Sequence, residues 1–335
     1  MIAFSPQLKK GSQEEKYVLR LLALIIAFSA TATASAQDWP AKPVRIIVPF
    51  PPGGSADLLP RSVGEKLAVK FGQPVIVDNR PGAAGNIGAS AVFQADPDGY
   101  TLLSAPPPPL VINQLLYTKL AFDSTKFVAI SVIAAIPNVL LVNPRVPASS
   151  VAELIAYAKA NPGKLNYSSQ GSGTTSHLTA ELFKSMAGGL HVAHVPYKGT
   201  APALAALVAG EVDMMCDNLG VSLPHVKAGR IKALAVASAK RVPSLPDVPA
   251  LAESLPGFEA VAWFGIVGPP GLSAPIAQKV SVGVAEALRD SEVQARLAAL
   301  SAEPMGFTPA QTAAYMREET ERWAAVIRTA NVKID

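Results

Sequence analysis

Two stretches of this 335-residue chain place glycines and hydroxyls where an anion could be held. The first is Phe50-Pro51-Pro52-Gly53-Gly54-Ser55-Ala56-Asp57, directly after an apolar β-branched run and before a helical pattern. Two prolines fix the direction of the chain, and two glycines expose backbone N–H groups with no Cβ in the way. Pro60 cannot donate an i→i−4 hydrogen bond and is comfortable only in a first helical turn, so free amides are expected over residues 54–59. The second stretch, Gln170-Gly171-Ser172-Gly173-Thr174-Thr175-Ser176-His177, crowds glycines and hydroxyls onto another helix start. A helix N-terminus carries about +0.5 elementary charge and unpaired N–H groups, which together attract anions. An ordinary strand–helix turn is the alternative reading of the first stretch, and a plain N-cap that of any single Ser or Thr in the second. Two such ends facing one cleft suit a small molecule bearing one or two carboxylates.

Other chemistries find no support in the residue pattern. The first loop lacks the G-K-[ST] ending of a Walker A and is not G-x-G-x-x-G, and no G-x-S-x-G, S-x-x-K or H-E-x-x-H occurs. The single cysteine, Cys216, rules out an internal disulfide, a cysteine-rich zinc site and an iron–sulfur centre, and reads as a small core residue. Of the four histidines, His191 and His194 sit around a strand start where their side chains diverge, so no two-histidine metal site is expected. Asp217 follows a predicted strand and could face a cleft. Arg80 in DNRPG is the cation nearest these loops and reads as loop structure. Fixed dipoles must then do most of the anion binding, with micromolar affinity expected, roughly 8 kcal/mol. No catalytic residue, metal or cofactor is expected.

The elements that position these loops alternate in type. Residues 1–36 stand apart: Lys9, Lys10, Lys16 and Arg20 precede an apolar run over 21–28, small residues follow, and Ala34-Ser35-Ala36 offers an A-x-A cleavage site. That layout predicts a secretory signal, the run being too short to span a membrane. Its removal changes Lys+Arg against Asp+Glu from 29:25 to 25:23, a net of +2. No phosphate-tracking surface remains, and no nucleic-acid partner is expected. Half of the residues are hydrophobic and 16% are charged, as for a packed two-domain protein. The 30 prolines are scattered and predict fixed turns.

Strands are predicted at 44–48, 75–77 and 100–103, with helices between them, which implies a parallel sheet with crossover helices. A second series has strands at 139–142, 165–168, 194–197, 212–215 and 233–237, separated by helices. The Ser150/Glu153 capping box opens the first of these helices. A late strand at 263–267 precedes a helical remainder, in which Thr308, Pro309 and Gln311 supply a cap, an N1 proline and a box partner. Ligands of open parallel sheets sit beyond the carboxyl ends of strands, which is where both glycine-rich loops fall.

The blocks IIVPFPPGGSAD, GQPVIVDNRPGAAGNIGA, DPDGYTLL, GKLNYSSQGSGTTSHLTAELF, HVPYKGTAPAL and WFGIVGPPG resemble the Bug family. These are periplasmic solute-binding receptors of tripartite tricarboxylate transporters, similar to TctC. The resemblance implies a bilobed type II periplasmic-binding-protein fold, α/β in class, with two parallel-sheet domains and a hinged cleft. Domain 1 would comprise residues 37–139 with 264–335, and domain 2 residues 140–263. It further implies a monomer that captures a small carboxylate, performs no covalent chemistry, and delivers its ligand to membrane permease subunits. A periplasmic sensor signalling to a histidine kinase is the alternative. The positions matching the family's ligand loops are Phe50, Gly53, Gly54, Ser55, Asp57, Gln170, Gly171, Thr174, Ser176 and His177. Tyr197, Asp217 and Ser104 are added as cleft residues. The chain departs from the pattern at Pro106-Pro107-Pro108-Pro109, where the family usually carries small polar residues; prolines remove backbone donors there.

Overall fold

The computed structural model describes residues 39–334, so the signal expected over 1–36 lies outside the described residues. Lys42–Asp335 packs as one unit, and of the preceding unit, Met1–Ala41, only residues 39–41 are described. No helix among the described residues is long and apolar enough to cross a membrane.

The first half is β1 (Val44–Val48), α1 (Ser55–Phe71), β2 (Val75–Asn79), α2 (Asn86–Phe93) and β3 (Thr101–Ala105). As the β-α-β-α-β alternation implies, β2, β1 and β3 are parallel neighbours in that spatial order. The second half adds α3 (Val151–Ala160), β5 (Asn166–Ser169), α4 (Thr175–Met186), β6 (Ala193–Pro196), α5 (Thr200–Ala209), β7 (Met214–Asn218), α6 (Leu219–Lys227) and β8 (Lys232–Val236). There β7, β5 and β6 are parallel neighbours.

Two strands join these halves and make both sheets mixed rather than purely parallel. The 15-residue β4 (Val128–Val142) runs antiparallel to β9 (Val261–Gly268) over residues 128–137, then antiparallel to β7 and β8 over 138–142. β9 in turn pairs antiparallel with β3. Only the last four residues of β4 are visible as a strand in the sequence, because Pro137 interrupts the run. In the structure Pro137 sits at the changeover, opposite Val261, where the chain passes from one sheet to the next. After β9 come α7 (Ala274–Ala287), α8 (Ser291–Ala299), the short β10 (Glu303–Pro304) paired with β4, and α9 (Pro309–Ala330). β10 interrupts the stretch expected to be wholly helical. The Thr308 cap, with Gln311 reaching back to the Thr308 N–H at 3.0 Å, forms as its residue types require.

Burial follows the alternation. Ile46, Val48, Leu102 and Leu103 are fully covered in the first sheet, and Tyr167, Met214, Met215 and Cys216 in the second. Strands enclosed on both faces need consecutive apolar residues, as these segments have. Two details depart from expectation. Strand β7 lies two residues later than 212–215, so Asp217 and Asn218 are strand residues rather than loop residues. Pro60 is the sixth residue of α1, past the first turn, where it withholds an N–H from the carbonyl of Ala56.

Candidate functional site

Four helices begin at one cavity. Its lining takes Gly54, Ser55 and Ala56 from the start of α1, Thr175 from α4, Gly199 to Pro202 from α5, and Asn218, the residue before α6. The two glycine-rich loops picked out from sequence supply the first two. The other two were missed, since nothing local in Gly199 or Asn218 says that their helices converge on the same place. The isolated Gly before a helical run in YKGT was the available signal.

The helix starts leave amides free in one of several ways. Gly54 caps α1 without a side chain to accept a hydrogen bond. The N–H groups of Asp57 and Leu58 both donate to the Gly54 carbonyl, at 2.9 and 3.0 Å, so the free pair is Ser55 and Ala56, a narrower set than 54–59. Gly199 likewise caps α5 with no side chain, at φ +105°, a conformation glycine adopts without steric cost. At α4 the Thr174 hydroxyl accepts from the His177 N–H at 3.4 Å and donates to the Gly171 carbonyl at 2.7 Å, which leaves the Thr175 and Ser176 amides. Asn218 turns its amide nitrogen to Asn138 at 2.8 Å instead of capping α6. Each helix contributes roughly half a positive charge. Ser55 adds a hydroxyl, 2% exposed, whose Oγ has no partner among the described residues.

The cavity is nearly shut, with about 30 Å³ of room, enough for a water or two. The two halves meet across it: a Cβ on Gly54 would lie 3.3 Å from Thr200 Oγ1, and one on Gly199 would lie 3.0 Å from the Pro51 ring. Beside it lies a wider crevice of about 510 Å³ that shares Phe50, Pro51, Gln170 and Gly199 and adds Gly171, Tyr197 and Lys198. Of the expected site residues, Phe50, Gly54, Ser55, Gln170, Gly171 and Tyr197 therefore line one or both cavities.

The remaining expected residues line neither cavity. Asp57 is buried and its carboxylate is consumed internally, accepting from Gly53 N–H (3.1 Å), Arg61 (2.8 and 2.9 Å) and Asn79 (2.9 Å). Burial alone would raise its pKa; the hydrogen bonds from Arg61, Asn79 and Gly53 outweigh that and hold it below the usual carboxylate value. Gly53 is thereby a tether, at φ +89°. Ser176 donates to the Cys216 carbonyl. Ser104 is buried on β3, its Oγ without a partner among the described residues, two positions before the lining residue Pro106. Arg80 pairs with Asp78 at 3.1 Å, in keeping with a loop role.

Two further groups give the loops a pH dependence. His177 and His194, not His191 and His194, come together, ring centroids 4.2 Å apart, and His194 also stacks on Tyr167 at 4.7 Å. His177 Nδ1 accepts from Gly173 N–H at 3.2 Å, and His194 Nε2 shares a hydrogen bond with Ser169 Oγ at 2.7 Å. Burial pushes both pKa values down, His177 to about 4 and His194 to about 3; Glu181 and Lys184 act oppositely on His177, while His177 and Lys184 lower His194 further. Their unfolded value is ~6.5, so the unfolded chain binds protons first. Stability should thus be whole above pH 6.5 and drain away as pH falls toward 3. Thermal unfolding across that range should show the slope in the native chain and a flatter one in His177→Asn/His194→Asn.

Asp217 acts on the other side of neutrality. Its Oδ1 accepts from the Gln170 amide, Oδ2 has no partner among the described residues, and burial pushes its pKa up to about 7, against the lowering pull of the Asn218 N–H and Gln170. Neutral, it can offer a proton; ionised, it repels an anion. Affinity for a fully ionised carboxylate should fall about tenfold between pH 6 and 8.5, a loss of roughly 1.4 kcal/mol. In Asp217→Asn, titration calorimetry should find affinity nearly level over the same range.

Known proteins share this architecture. The family model described as "Tripartite tricarboxylate transporter family receptor" matches residues 59–332. BugT of Bordetella pertussis is 38% identical over 322 residues, 94% of this chain and 98% of that protein. An R. palustris protein solved with adipate is 39% identical, with a TM-score of 0.85 over 88% of this chain and 99% of that one. MatC from Rhodopseudomonas palustris, solved with bound malate, is 34% identical, with a TM-score of 0.82 over 86% of this chain and 100% of that one. The bilobed α/β fold with helix starts gathered at one cleft is thus a periplasmic-binding-protein fold, and the chain belongs to the tripartite tricarboxylate transporter receptor family, the Bug and TctC solute-binding proteins.

Proposed function

We propose that the protein captures a small organic carboxylate between its lobes and delivers it to the permease of a tripartite tricarboxylate transporter in the periplasm. The observation that carries this reading is the convergence of four helix N-termini, two of them capped by glycine, on one cavity that also holds the unpartnered Ser55 hydroxyl. Such an arrangement attracts an anion without a cationic side chain. Adipate and malate in two related structures are anions of the fitting class.

The lobes divide at residues 139/140 and 263/264, close to where β4 leaves one sheet for the other and within β9. Ligand enters an open form and shifts the population toward the closed one, since it touches both lobes only there. The cavity is too small for a four-carbon acid to enter without such opening. The protein acts as a monomer and breaks no covalent bond. Phe50, Gly54, Ser55, Gln170, Gly171 and Tyr197 contact or face the ligand, and Gly53, Asp57, Thr174, Ser176, His177, Ser104 and Asp217 hold or tune those that do. Deleting the gene and following labelled carboxylate uptake tests the reading. Lost uptake supports delivery, whereas unchanged uptake with altered transcription would make the protein a sensor.

A further inference from the structure

Resting on the carboxylate reading, we propose that the ligand is a monocarboxylate with an apolar alkyl or aromatic body, and that a second carboxylate is rejected by the wall behind the helix starts. The backbone donors around the cavity belong to the N-termini of α1, α4, α5 and α6. The rest of the lining includes Phe50, Pro51, Pro52, Pro106, Pro108 and Phe264. Pro106-Pro107-Pro108-Pro109 follows the carboxyl end of β3, where a loop would ordinarily turn N–H groups toward a ligand, and it has none to turn.

That wall cannot easily retreat. Residues 105–113 are all buried, and the Pro109 ring packs so closely that a Cβ on Gly85 would lie 3.1 Å from it and 3.3 Å from the Phe50 ring. The polar side chains that remain at the cleft are already engaged: Gln170 donates its amide nitrogen to Asp217, and Asn218 donates its own to Asn138. Asp217 lines neither cavity, and when ionised it repels a second anion. Among the described residues Lys198 is the one cation lining either cavity, and it is exposed at the wider crevice. A second carboxylate would lose its hydration against pyrrolidine rings and gain no donor, whereas methylene or aromatic carbons gain contact there.

The test is calorimetry on the purified protein, freed of carried-over ligand by unfolding and refolding, with hexanoate, benzoate, adipate and 1-hexanol. Hexanoate and adipate share a six-carbon chain and differ by one carboxylate. Hexanoate or benzoate should bind at least tenfold tighter than adipate, and 1-hexanol should give no measurable heat. Adipate binding as tightly as the better monocarboxylate, or neither monocarboxylate binding, overturns the proposal and leaves the carboxylate reading standing if adipate binds. Hexanol binding as well as hexanoate overturns the carboxylate reading itself. Pro106→Ala and Pro108→Ala each return one N–H to the wall. At least one of them should narrow the hexanoate-to-adipate ratio severalfold, and an unchanged ratio in both folded variants would count against the wall as its cause.

Discussion

Replacing Gly54 with valine is expected to weaken carboxylate binding about thirtyfold to 150-fold while leaving the fold intact. Gly54 has φ −88° and ψ 170°, extended backbone that valine adopts without strain. The loss therefore comes from space, not conformation. A Cβ there would stand 3.3 Å from Thr200 Oγ1 on the facing helix start, and the two γ-methyls of valine reach further. Overpacking of this kind costs about 2–3 kcal/mol. It is felt only when the cleft is shut, so it falls on affinity rather than on unfolding. The apolar N-cap adds about 1 kcal/mol of lost stability at most. Gly199→Ala makes the contrast. Its Cβ would press on the Pro51 ring at 3.0 Å, and φ +105° strains it in the open form too, so stability and affinity should fall together. Calorimetry paired with thermal unfolding separates the two cases.

Asp57→Ala should cost about 2–3 kcal/mol of stability and weaken binding at least tenfold, although the side chain does not line the cavity. The figure lies below that for a fully buried pair because Arg61 is 43% exposed and keeps part of its hydration. Truncation frees three donors at once: the Gly53 N–H, the Arg61 guanidinium and the Asn79 amide. Asn79 also donates to the Phe50 carbonyl at 3.0 Å, so Asp57 anchors both ends of the loop to β2. Asp57→Asn keeps the shape but adds its own N–H groups where acceptors are needed, and should recover only part of the loss. A residue that touched ligand directly would instead lower affinity with little change in the unfolding midpoint, and chemical denaturation decides between them.

These cases also show what the residue pattern could reveal. Strand-like runs broken by Gly and Pro turns placed both parallel cores, because a strand buried on two faces must be apolar without alternation. The Gly53-Gly54 and Gly171–Thr174 loops were legible since helix starts carry local signatures. Asp57 was not legible as an anchor, because its partner Asn79 is 22 residues away on β2. Asp217 was read as a loop residue for its polarity, yet β7 pairing with β4 keeps it in the sheet, where burial sets its behaviour. The starts of α5 and α6 converge on the cleft only through the order of β6, β5 and β7, a tertiary property no short window contains. Pro60 was misplaced for the same reason: packing of α1 carries it past the first turn that propensity would allow.

Amide resonances followed by NMR while hexanoate is added to saturation ask most directly whether uncapped backbone, not a cation, holds the anion. The N–H protons of Ser55, Ala56, Thr175 and Thr200 should move downfield together, farther than any in the wider crevice. Shifts centred instead on Lys198 and Ala83, with those four unmoved, would contradict it.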